Sequence, residues 1–264
     1  MEKLKDHFGI KIATDVRDYT IKDRNYLVEL IREHKVILWT KQVLSAHELV
    51  LFSEIFGETW HNHDGGILSK NGELLATHHE TNKITRVSNM NNGVLGSGVV
   101  GWHSDISHKP WTTAGGTLPC RALYCVKTPS DQKICTSWFD QQWLYDNISE
   151  HLRIKIEKLV VRFKSVYPVG WEDNTVPFIL RDPVSGRKSI SLSKIFFENF
   201  VGMSKDESQN INDELFATAV LEENVIRHEW SEGDLIICNN YTTAHKRDGI
   251  QSKQERTLWR TTFQ

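Results

Sequence analysis

His103 and Asp105, in the run Gly101-Trp-His-Ser-Asp105, are separated by a single residue. On an extended chain side chains alternate between faces with period two, so this imidazole and this carboxylate point the same way and can converge on one ion. A third ligand is available far along the chain. His245 stands in Ala244-His-Lys-Arg247, just beyond the apolar run Asp234-Leu-Ile-Ile-Cys238. A fold that uses all three must bring two distant extended segments side by side.

The rest of the chain reads as many short strands with a minority of helices. Tyr26, Leu27, Leu30 and Ile31 lie at helical spacing over about 24–35 and lead into the buried-strand pattern Val36-Ile-Leu-Trp39. Ser45 is placed to cap a second helix that ends at Gly57, with Leu49, Leu51, Phe52 and Phe56 on its face. Gly, Asn and Ser cluster over 88–98, as loops do. Arg121–Val126 and Cys135–Phe139 read as strands, and helical periodicity returns over about 140–161. The segment 177–193 resembles a hairpin turning at Asp182-Pro-Val-Ser-Gly186. A helix over about 206–224 follows. Strands at 225–229 and 234–238, joined by Ser231-Glu-Gly233, precede His245, and Thr257–Phe263 forms the last strand. This order predicts one domain over residues 1–264, a mainly β, α+β architecture in which a double-sheet core carries peripheral helices and holds the metal between its sheets.

Composition sets the limits. The formal net charge is −2 over 264 residues, with charges interspersed, so no basic field invites nucleic acid. No apolar run approaches the length of a membrane span or a signal peptide. The expected setting is cytoplasmic, with no membrane partner. The four cysteines, Cys120, Cys125, Cys135 and Cys238, lack Cys-x-x-Cys spacing and read as reduced, packed thiols.

Two histidines and one carboxylate on one face, with open positions opposite, form the ligand set of non-haem Fe(II) oxygenases. Zinc accepts the same donors, so a zinc-dependent hydrolase built on His103, Asp105 and His245 is the competing reading. Both ring nitrogens must ligate neutral and Asp105 as the carboxylate, so metal affinity should fall in acid.

Several segments together are similar to one family. Lys35-Val-Ile-Leu-Trp39 with Leu44-Ser-Ala-His-Glu-Leu through Gly57 looks like its first strand and helix. Trp102-His-Ser-Asp105 looks like its proximal ligand motif, and Arg181-Asp-Pro-Val-Ser-Gly-Arg-Lys-Ser189 like its central hairpin. Trp230-Ser-Glu-Gly-Asp through Ala244-His245 looks like the strand and loop that deliver the distal histidine. In this order the chain resembles the taurine dioxygenase-like (TauD/TfdA) branch of the Fe(II)/2-oxoglutarate-dependent oxygenases. The resemblance implies a double-stranded β-helix (jelly roll), Fe(II) as metal, 2-oxoglutarate as co-substrate and O2 as oxidant. His103, Asp105 and His245 would then be the catalytic and metal-binding residues.

The resemblance also implies how the co-substrate is held. A buried carboxylate needs a cation, and the planar fork of arginine can grip both oxygens. Arg256 stands eleven residues beyond His245 (256 − 245), where the family places that arginine. Arg260, four residues further, would face the same side and either supports this co-substrate clamp or, like its counterpart in the taurine enzyme, holds an anionic group of the substrate. Thr136 matches the hydroxyl used on the same oxoglutarate carboxylate, once one residue is inserted in Gln132-Lys-Ile-Cys135, which replaces the usual Gly-Gly turn. Asn239-Asn-Tyr241 departs from the usual Asp-Asn-Arg but retains Asn240. The presence of Asp105 disfavours halogenation, for which relatives replace this carboxylate by a small residue.

The implied reaction oxidises a small molecule by hydroxylation or desaturation, releasing succinate and CO2. His61, His63 and Asn89–Asn92 fall where substrate-facing loops are expected, and Trp111, Tyr167 and Trp171 could form an aromatic wall. The departures from the taurine pattern point to a biosynthetic enzyme of specialised metabolism acting on a small amino-acid-derived acid.

Overall fold

The computed structural model describes residues 1–60, 77–90, 93–105, 120–164, 174–182 and 185–263. His61, His63, Asn91, Asn92, Trp111, Tyr167 and Trp171 lie outside the described residues, as do Pro183 and Val184 of the hairpin turn.

Two facing sheets dominate. The larger runs Glu2–Lys3, Ile10–Ile12, Val36–Trp39, Leu235–Asn239, Cys120–Lys127, Thr257–Phe263, Thr85–Ser88, Val94–Leu95. The smaller runs Val225–Glu229, Cys135–Asp140, Thr243–Arg247, Val100–His103. Successive strands switch sheets: Cys120–Lys127 is followed by Cys135–Asp140 in the opposite layer, and Leu235–Asn239 by Thr243–Arg247. This is the double-stranded β-helix expected from the sequence.

Period-two patterning divides the core. In Leu235–Asn239, Ile236 and Cys238 pack between the sheets with Val36, Leu38, Trp138 and Leu258. The alternate residues Leu235 and Ile237 turn outward and pack with Ile37, Trp39 and the helices Arg24–His34 and Ala46–Phe56. Behind the smaller sheet, Phe139 and Ala244 join Leu144, Leu152 and Phe216. Burial of these two-sided strands is the main force behind the fold, at roughly 25 cal/mol per Å² of apolar surface.

Capping sets the helix ends. Glu48 donates its backbone N–H to Ser45 Oγ at 3.2 Å, while Glu48 Oε2 accepts from the Ser45 backbone N–H at 2.7 Å. Within this helix Leu51 is half exposed and Val50 and Ile55 are buried instead, so the inward stripe runs beside the one expected. Tyr26 likewise points to solvent, whereas Leu27, Leu30 and Ile31 are buried. The helical stretch expected over 140–161 is two short helices, Gln141–Asn147 and Glu150–Ile156, followed by the strand Val160–Phe163. The break follows the caps: Asp140 accepts from Gln142 and Trp143 at 2.8 and 3.1 Å, and Ser149 from Leu152 at 3.2 Å. The helix expected over 206–224 spans Lys205–Ala219, with a separate 3-10 turn at Glu222–Asn224. Ile179–Arg181 and Lys188–Ile190 form the expected hairpin.

Gly233 turns the chain into Leu235–Asn239 at φ +85°, and a Cβ there would lie 2.6 Å from the Gln42 carbonyl oxygen. Only glycine fits that turn without strain. All four cysteines are buried and unbridged. Among the described residues no helix is long and apolar enough to cross a membrane.

Candidate metal centre

Register builds the centre. His245 pairs directly with His103 across antiparallel strands of the smaller sheet, and their ring centroids are 4.3 Å apart. His103 Nδ1 lies 2.7 Å from the Gly101 carbonyl oxygen. A carbonyl can only accept, so Nδ1 carries a proton, and in the neutral ring Nε2 is the nitrogen left to ligate a metal. Asp105 Oδ1 is 3.3 Å from His103 Nε2 and 4.0 Å from His245 Nε2. One ligand atom from each of these three residues lies within 4.8 Å of the others.

Asp105 is held at both ends. Its backbone N–H donates to Asn240 Oδ1 at 2.8 Å, and Asn240 Nδ2 donates back to its carbonyl at 3.0 Å. The retained Asn240 thus ties the proximal ligand to the loop that precedes the distal one. At the carboxylate, Arg121 Nε donates to Oδ2 at 3.0 Å and Arg260 Nη1 to the same oxygen at 3.4 Å. Oδ1 is left facing the histidines. Burial alone would raise this carboxyl, but Arg260, His103 and Arg121 together hold it well below the usual carboxylate range. Burial, reinforced by His103, lowers His245 to about 3, so its imidazole is neutral near pH 7. A neutral imidazole and an ionised carboxylate are the forms that bind a metal.

One cavity between the sheets is lined by His103, Asp105, His245, Thr136, Arg256 and Arg260. The six residues expected to hold the metal and the co-substrate therefore meet there. Arg256 is 1% exposed, its Nη1 makes only a 3.5 Å contact to the Val87 carbonyl, and its Nε has no partner among the described residues. Burial, with help from Arg247, lowers this guanidinium to about 9. A buried cation so poorly matched within the chain is suited to an anion from outside. Thr136 faces the same space from the smaller sheet, in register with Arg247.

Two residues in this cavity went unread in the sequence. Arg121 is the Asp105 partner just described; the available signal was a charged residue on the same face as Leu123 in the strand Cys120–Lys127. Arg247 donates to the carbonyls of Leu95, Gly96 and Gly98 and so secures the loop at the cavity edge. Its signal was its position two residues after His245, on the same strand face.

The fit to iron and 2-oxoglutarate rests on these observations. The donors are two imidazoles and a carboxylate, and an under-partnered arginine stands in the same cavity.

Comparison with known proteins agrees. The profile described as "Taurine catabolism dioxygenase TauD, TfdA family" matches residues 2–262. Pentalenolactone F synthase of Streptomyces arenae is 25% identical, over 88% of this chain and 81% of that protein. The 3-((Z)-2-isocyanoethenyl)-1H-indole synthase of Fischerella ambigua is 24% identical, over 98% of this chain and 90% of that protein. Among solved structures, a taurine dioxygenase from Burkholderia xenovorans superposes with a TM-score of 0.80 at 22% identity, covering 99% of this chain and 88% of that one. AAD-2, solved with Mn(II) and N-oxalylglycine, superposes with a TM-score of 0.78 at 20% identity, covering 99% and 95%. Those two structures share the fold.

Proposed function

Because the chain belongs to the TauD/TfdA family of dioxygenases, we propose that it is an Fe(II)- and 2-oxoglutarate-dependent oxygenase whose iron is held by His103, Asp105 and His245. The observation that carries the reading is the pairing of that triad with the buried, under-partnered Arg256 in one cavity. A zinc hydrolase would use the triad but would give Arg256 nothing to hold.

In this reading Arg256 takes the distal carboxylate of 2-oxoglutarate through its planar fork. Thr136 adds a hydroxyl to the same group. Arg121 fixes Oδ2 of Asp105, so Oδ1 is the oxygen that would hold the metal together with His103 and His245. Arg260, half committed to Asp105, faces the cavity and is the cation for an acidic group on the substrate. When bound, iron and 2-oxoglutarate supply an oxidant strong enough to break a C–H bond, with release of succinate and CO2. The protein's share is geometry and a dry cavity.

The substrate is a small, amino-acid-derived acid of specialised metabolism. Two observations support this class: Arg260 in the cavity, and likeness over almost the whole chain to relatives named as synthases.

The test is an anaerobic titration of Fe(II)-loaded protein with 2-oxoglutarate, following the visible charge-transfer band of the chelate. A band in the wild type that is lost in His103→Ala supports the assignment. Absence of the band, with zinc retained tightly, overturns it in favour of the hydrolase.

A further inference from the structure

Trp230 lies outside the cavity and yet touches it through one atom. Its indole Nε1–H donates to Thr136 Oγ1 at 2.8 Å, and Thr136 lines the cavity. The indole is fixed in place. Trp138 meets it at 6.4 Å between ring centroids and 66°, and His228 at 5.0 Å and 87°. His228 is itself bound to Asp234 Oδ2 at 2.9 Å, and that oxygen also accepts the Ser231 backbone N–H at 2.9 Å. Trp230 is 3% exposed. A rigid, dry and well-supported donor therefore faces one hydroxyl.

The two groups differ in what they can exchange. An indole N–H only donates, whereas a hydroxyl has one proton and two lone pairs. With Trp230 occupying the acceptor side of Thr136, the hydroxyl proton must point elsewhere. Among the described residues it has no acceptor. The cavity that holds Arg256 is the space left to it.

We propose that Trp230 is a positioning residue that fixes Thr136 as a hydrogen-bond donor to the distal carboxylate of 2-oxoglutarate. The inference rests on the oxygenase reading and on Thr136 touching the co-substrate. A carboxylate accepts only, so a hydroxyl free to turn would spend part of its time presenting lone pairs to it. Trp230 excludes the rotamer that turns the proton towards the indole and so favours donation into the cavity before the co-substrate arrives.

A double-mutant cycle tests this, with 2-oxoglutarate affinity read from the charge-transfer band of anaerobic Fe(II) protein. Trp230→Phe is expected to weaken 2-oxoglutarate by roughly 3- to 10-fold, the scale of one neutral hydrogen bond, and to leave Fe(II) affinity unchanged. In a Thr136→Val background the same change is expected to have no further effect. Should Trp230→Phe fail to fold, Trp230→Tyr enters the same cycle. Wild-type affinity in Trp230→Phe, or an equal loss in both backgrounds, overturns the proposal. If Thr136→Val itself binds 2-oxoglutarate normally, the proposal falls with the role of Thr136, while the oxygenase reading, carried by the wild-type band, stands. If the wild type gives no band, it is the oxygenase reading that fails.

Discussion

His103 and His245 face each other across adjacent antiparallel strands with ring centroids 4.3 Å apart, and Asp105 Oδ1 lies 3.3 Å from the Nε2 of His103. The sheet register imposes this proximity, so two imidazoles and one carboxylate converge as the donor set proposed above for a divalent cation.

Removing a ligand is expected to abolish succinate formation in both His103→Ala and Asp105→Ala, but the two variants should differ in stability. Asp105→Ala strips Arg121 and Arg260 of their shared carboxylate and leaves two buried cations unpaired, a cost of about 3–5 kcal/mol. His103→Ala carries no such penalty. Urea melts of the metal-free proteins check this; equal midpoints would mean that the Asp105 pairs do not stabilise the fold.

Arg256→Met should act in the opposite direction on stability and binding. Without co-substrate, Arg256 has almost nothing to hold it, so the variant's metal-free melting temperature should match or exceed that of the wild type. Its affinity for 2-oxoglutarate should fall by about 3–5 kcal/mol, more than a hundredfold. An unchanged affinity would remove Arg256 from the co-substrate site.

Acid should weaken the metal-free protein through His245. Its folded pKa of about 3 lies below that of an unfolded histidine, about 6.5, so between these values the unfolded chain binds a proton that the folded one refuses. Stability is therefore complete above about pH 6.5 and declines as the pH falls towards 3, with about 2 kcal/mol lost by pH 5. His245→Gln should flatten that part of the profile, as measured by urea melts from pH 7.5 to 4.5. A slope unaltered in the variant would assign the acid sensitivity to other groups.

Lys35→Met should be strongly destabilising despite its distance from the reaction. Lys35 Nζ pairs with Asp140 Oδ2 at 3.0 Å, both side chains almost fully buried. Asp140 would keep its two cap hydrogen bonds at the start of the helix Gln141–Asn147 but lose its buried counter-ion, costing about 3–5 kcal/mol. Lys35→Met/Asp140→Asn should recover much of the loss, and a double variant as unstable as the single would refute the pairing argument.

The sequence was most legible where local pattern and tertiary environment agree. The last strand, Thr257–Phe263, is legible at its observed bounds because successive residues face opposite layers, Leu258 between the sheets and Trp259 and Phe263 on the outer side. His103 and Asp105 were legible because one intervening residue on a strand has a single geometric meaning. The helical reading across 140–161 holds for Gln141–Asn147 and Glu150–Ile156 but misses the break between them, because Asp140 and Ser149 are both caps and apolar spacing alone does not register two starts in one stretch. Leu51 and Tyr26 were misplaced for a related reason: spacing identifies a stripe but not which flank of it meets the neighbouring helix. Arg121 and Trp230 act through contacts with residues 16 and 94 positions away, which no local window contains.

Arg247 holds the loop 95–98 entirely by its main-chain carbonyls, at Leu95, Gly96 and Gly98. Such an attachment is indifferent to which side chains the loop displays. Leu95, which lines the cavity at φ 68°, can therefore be exchanged for residues that accept that left-handed backbone, Gly and Asn foremost, without loosening the anchor at Arg247 or disturbing His245 two positions before it. The edge of the cavity is in effect a replaceable fitting on a fixed mount, so new substrate preferences can be selected there while the oxidative centre is inherited unchanged.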